Sequence, residues 1–184
     1  PGTRVARITR FENCPGGSTG QKLFLSVEYD PPVPQLHGDL FVKLSRDFSD
    51  PLRDRGRFEM ASEVRFAALS RLADFPVSVP KAYYADYHQE SGTGVLITQR
   101  IPFGVGGIEP QHQKCLDHEL ADPASYYRAI VTALARLAGA HKGGRLRADV
   151  DVQFPFDPQA AAAADRIRYD EGQLRELVAA YAEF

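Results

Sequence analysis

The hydrophobic period of the chain changes near residue 102, and that change limits the available folds more than any other feature. Before it, short strand-like runs bounded by Gly/Pro clusters are interrupted by one helical stretch. After it, the apolar residues recur at helical spacing. Residues 4–11 alternate weakly, with Val5, Arg7 and Thr9 set against Arg4, Ala6, Ile8 and Arg10. Residues 13–20 form a Gly/Ser/Pro loop. Residues 21–29 alternate clearly, with Leu23, Leu25, Val27 and Tyr29 on one side. A proline-rich connection leads to a third strand over 39–45, apolar at Leu40, Phe41, Val42 and Leu44.

Residues 46–57 are charged and without period, and are expected to be a solvated, mobile link. Residues 58–72 are helical, with Phe58, Ala61, Phe66, Leu69 and Leu72 at helical spacing. Pro76 and Pro80 end that region, and two further strands are expected over 82–87 and 94–101. Beyond them, Asp122-Pro123 is a helix start, an Asp cap with Pro at the first helical position. Tyr127, Ile130, Val131, Leu134, Leu137, Ala138 and His141 make one face of that helix, which Gly143-Gly144 closes. Asp157-Pro158 repeats the start signal, and Leu174, Leu177, Val178 and Tyr181 form a last stripe. Strands first and helices afterwards argue for an α+β fold with an antiparallel sheet.

Composition excludes several classes. A net charge of −2 leaves no electrostatic footprint for nucleic acid. No apolar run approaches the roughly 20 residues of a membrane span. Cys14 and Cys115, with no secretion signal, are expected as two reduced thiols, and a cytoplasmic location follows as the expectation.

The elements and their marker residues, in this order, resemble the N-terminal lobe of the protein-kinase-like fold. More narrowly, they resemble the aminoglycoside phosphotransferase, choline kinase and ecdysteroid-kinase-like group. The resemblance spans residues 4–142. It implies a five-stranded antiparallel sheet with one helix over 1–101, then the hinge and first C-lobe helices over 102–184. It also implies site residues. Gly16, Gly17, Ser18 and Thr19 would cover nucleotide phosphates. Lys43, in Phe41-Val42-Lys43-Leu44, would grip those phosphates, and Glu63 would orient Lys43, with Glu59 its rival one turn earlier. The backbone of Gln99, Arg100 and Ile101 would meet the adenine edge. Leu137-Ala138-Gly139-Ala140-His141 matches the end of the first long C-lobe helix. The implied ligands are ATP with Mg²⁺, and the implied reaction is transfer of the γ-phosphate to a hydroxyl on a small molecule.

His37-Gly38-Asp39-Leu40 spells the start of the catalytic loop of the same kinases, but in the wrong place. The residue five after Asp39, where a Mg²⁺-binding Asn is required, is Leu44, and the chain contains no Asn after Asn13. The triplet also precedes the glutamate helix, whereas a catalytic loop follows it. His37-Gly38-Asp39 is therefore expected to be a turn into a strand. With no other His-x-Asp available, the sequence is expected to end before the catalytic half, to supply no metal ligands and to be inactive alone. Two rival readings remain: a non-catalytic kinase-like nucleotide-binding or interaction module, and an unrelated α+β protein with Lys43 exposed. His112, Cys115, Asp117, His118 and Glu119 have metal-ligand spacing, but no Cys-x-x-Cys pair completes a zinc set.

Overall fold

The computed structural model describes residues 2–14, 20–50, 59–113 and 115–156, with 158, 172, 175–176 and 178–179 beyond them. The chain divides into two compact units, Pro1–Val150 and Asp151–Phe184. The first is α+β, built on an open antiparallel sheet of five strands. These are β1 (Arg4–Asn13), β2 (Gln21–Asp30), β3 (Asp39–Leu44), β4 (Ala82–His88) and β5 (Thr93–Gln99), in the order β1-β2-β3-β5-β4. Helix α1 (Glu59–Leu69) joins β3 to β4 and packs on β4 and β5, and α2 (Pro123–Lys142) follows the sheet. All five strands fall where alternation predicts them. The expected helices after Asp157-Pro158 lie largely outside the described residues.

The weak alternation at the start of the chain has a structural cause. The register of β1 against β2 shifts between Val5 and Arg7 and again between Ile8 and Arg10, two irregularities that each insert a residue. The faces therefore group every third residue. Val5, Ile8 and Phe11 lie opposite Tyr29, Val27 and Leu25, while Arg7 and Arg10 lie opposite Glu28 and Ser26. This replaces the strict period-two grouping expected from the sequence. The charged face is closed by ion pairs, Arg4–Asp30 at 3.0 Å and Arg7–Glu28 at 2.9 Å.

The core lies on both sides of the central strands. Leu23, Val27 and Val42 form a buried row on one face. On the other, α1 contributes buried Met60, Ala61, Ala67 and Leu69. Close approach of α1 depends on Gly94: a Cβ there would lie 3.0 Å from Met60 Cβ and 3.2 Å from Tyr87 Cδ2. Phe66 meets Phe75 edge-on at 5.6 Å, fastening the turn that follows α1. Helix α2 starts as expected, with the Asp122 side chain accepting from the Ser125 amide at 3.2 Å and Pro123 in the first turn. Its predicted apolar face is exposed, since Tyr127, Ile130, Val131 and Leu134 are each more than half accessible. Among the described elements the short turn Asp117–Glu119 packs against it.

Candidate functional site

The site is set by register. Residues opposite one another in a ladder share a face, and residues two apart along a strand share it too. Lys43 lies opposite Lys22 and Leu96, and Phe41 opposite Phe24 and Thr98. One face of the sheet thus carries Phe24, Phe41, Lys43, Leu96 and Thr98. It is also the face of Gly94, on which α1 packs.

Lys43 is 7% exposed and is the one buried charged or polar residue among the described residues. A buried ammonium is stable only with a counter-charge and hydrogen bonds. Glu63 supplies one: its carboxylate oxygen accepts from Lys43 Nζ as a hydrogen-bonded ion pair. The two come from different elements, Lys43 from the middle of the sheet and Glu63 from the second turn of α1. Glu63 is 36% exposed, so the pair has one dry end and one wet end. Such an arrangement holds the cation in place from its partly exposed side. Lys43 and Glu63 are the predicted pair, and the structure brings them together. The Glu59 side chain lies outside the described residues.

Gly16, Gly17, Ser18 and Thr19 also lie outside the described residues. At the end of β5 the backbone is largely committed within the fold. The Gln99 amide donates to Lys81 O at 2.8 Å and the Arg100 amide to Asp39 O at 3.3 Å. The Ile101 carbonyl accepts from Phe103 at 3.0 Å. What sequence reasoning missed here is a side chain. Arg100 lays its guanidinium over Phe24, with Cζ 4.4 Å from the ring centroid. Arg10 addresses the same ring at 5.2 Å, and Phe24 packs on Phe41 at 6.2 Å with the rings inclined by 57°. The available signal was an arginine two residues beyond Thr98, in phase with it.

The His37-Gly38-Asp39 triplet is a turn into β3. The Val27 amide donates to Gly38 O at 2.9 Å, and a Cβ on Gly38 would lie 2.7 Å from Val27 O, so only glycine fits. Asp39 opens β3 and accepts from Ser26 Oγ at 2.6 Å. The His37 ring packs on Tyr83 at 5.4 Å, and its carbonyl accepts from Tyr29 Oη at 3.1 Å. Burial, and secondarily Tyr29, pushes the Tyr83 phenol up.

Residues 46–50, expected as part of a solvated link, expose 47–49 but include a half-buried ion pair. Arg46 and Asp50 form a half-buried pair at 3.0 Å, and Ser45 Oγ accepts from the Gly94 amide at 2.6 Å. The rest of the link, 51–58, lies outside the described residues. The rival metal cluster is spread among other partners. His112 meets the Tyr126 ring edge-on at 5.3 Å, Asp117 accepts from Tyr127 Oη, and His118 and Glu119 are 4.0 Å apart. No group of three or more metal-ligating side chains occurs among the described residues. Neither cysteine is in a disulfide.

No family model matches the chain, nor does any curated protein or solved structure.

Proposed function

We propose that this chain is the nucleotide-binding part of an ATP-dependent small-molecule phosphotransferase with a protein-kinase-like N-lobe. The observation that carries the reading is the buried Lys43, paired with Glu63 across β3 and α1. A lysine in mid-sheet costs solvation wherever it lies, and here its counter-charge is the partly exposed Glu63. That is the arrangement that kinases use to hold the α- and β-phosphates. The strand order, with one helix inserted between β3 and β4, supports the same reading.

In this reading Lys43 binds the phosphates of ATP, Glu63 orients Lys43, and residues 16–19 cover the phosphates. Mg²⁺ would arrive with the nucleotide, and this sequence has no Asn in a catalytic-loop setting to hold it. The acceptor would be a hydroxyl on a small molecule. The chain alone would bind nucleotide without turning it over.

Titration calorimetry with MgADP and MgATP tests this. Saturable binding by the wild type, lost in Lys43→Ala with the melting temperature retained, is the expected result. No binding, or equal binding by both proteins, would remove the phosphate-gripping role. The second reading, a non-catalytic kinase-like module, shares the binding result. It is favoured if the full gene product carries no His-x-Asp with an Asn five residues after the Asp.

A further inference from the structure

We infer that Arg100, laid on Phe24, is the platform on which the flat ring of the ligand stacks. Side chains, rather than backbone amides, would then do most of the base recognition at the end of β5. The inference rests on the nucleotide reading above and goes beyond it by naming the base-binding residue.

Three observations converge on Arg100. The first is the committed backbone: the amides of Gln99 and Arg100 and the carbonyl of Ile101 are all bonded within the fold, and residue 102 is a proline without an N–H. Few backbone groups are left there to read a base edge. The second is the stack itself. Arg100 is in phase with Thr98, so it faces the same side as Phe41 and Lys43 and rests on Phe24 at 4.4 Å. Arg100 has no carboxylate partner among the described residues. Its planar, weakly hydrated guanidinium is half-buried with one face on Phe24, and its other face is the one a second planar group would use. The third is distance. The Arg100 amide is fastened to Asp39, and Lys43 lies four residues further along β3, about 13 Å at strand rise. A nucleoside di- or triphosphate laid along β3 can span that length, base at Arg100 and phosphates at Lys43.

The chemistry separates the two residues. Stacking depends on a plane and is indifferent to phosphate, whereas an ammonium gripping phosphates is indifferent to the base. The test uses the full 184-residue chain and three probes: adenosine, ADP and inorganic triphosphate. The expected result for Arg100→Ala is a Kd raised about ten-fold or more for adenosine and ADP alike, with triphosphate unchanged. Arg100→Lys keeps the charge and stem but not the plane, and is expected to behave like the alanine variant. Lys43→Ala is expected to show the converse, weakened ADP and triphosphate with adenosine unchanged. If Arg100→Ala binds adenosine and ADP as the wild type does while Lys43→Ala loses ADP, the stacking role is wrong and the nucleotide reading stands. Full rescue by lysine would likewise overturn stacking in favour of simple charge. A wild type that binds none of the three probes removes the nucleotide reading and this inference with it.

Discussion

Glu63 on α1 reaches the ammonium of Lys43 on β3, and the lysine is buried while the glutamate is partly wet. The two residues are therefore not equivalent under mutation. Removing Glu63 leaves a buried cation without that counter-charge; removing the cation leaves a glutamate that water can still reach. Losing one partner of a fully buried pair costs about 3–5 kcal/mol. Screening at the exposed end lowers the expectation for Glu63→Ala to about 1–2 kcal/mol. For a domain of this size that is a fall in melting temperature of about 2–8 °C. Lys43→Met fills similar volume without charge and is expected to leave stability unchanged or slightly raised. Thermal unfolding of both variants checks the asymmetry. Equal losses would show that the lysine contributes to stability in its own right.

Gly38 and Asp39 offer a second contrast, because in a catalytic loop the aspartate would be the indispensable residue. In this fold the glycine is. A methyl group on Gly38 would meet the Val27 carbonyl at 2.7 Å, and a backbone atom cannot swing aside as a side-chain end can. Gly38→Ala is expected to destabilise by about 1–3 kcal/mol through strain between β2 and the turn. Asp39→Ala loses one exposed hydrogen bond from Ser26, worth about 0.5–1.5 kcal/mol. It is expected to leave nucleotide binding unchanged. Urea unfolding gives the stabilities, and ADP titration of Asp39→Ala gives the binding. A loss of binding in Asp39→Ala would return the triplet to the functional site.

The contrast also shows which features were readable in the sequence. The five strands, α1 and the capped start of α2 were readable because period, capping residues and Gly/Pro punctuation act locally. The pairing of Lys43 with Glu63 was readable only through resemblance, since nothing local links residues 20 apart. The faces of β1 were misassigned because two register shifts convert a period of two into a period of three, and such shifts depend on the partner strand. The Arg100–Phe24 stack was invisible for a similar reason: it joins the end of β5 to the middle of β2 across β3. The apolar face of α2 was identified from sequence, but hydrophobic spacing does not tell whether a partner layer is present.

The turn before α2 makes a prediction about pH. Tyr127 donates to Asp117, which holds the Asp117 carboxyl below its ordinary value and raises the Tyr127 phenol. Tyr126 donates to Glu109 at 2.9 Å, and its phenol is raised as well. The signs differ between the two kinds of group. A depressed carboxyl contributes stability that is present above its ordinary pKa and lost as pH falls through the lower folded value. A raised phenol contributes stability that is present below about 10 and lost as pH rises through the higher folded value. The attachment of the 117–119 turn to α2 is therefore expected to be constant through neutral pH and to weaken at both extremes. Absorbance titration of the phenolates gives the alkaline side: Tyr126 and Tyr127 are expected to ionise above the ordinary range. Asp117→Asn, which replaces the anion by a neutral amide, is expected to return Tyr127 towards the ordinary value while leaving Tyr126 raised. Movement of both tyrosines together would mean that the two contacts are not independent.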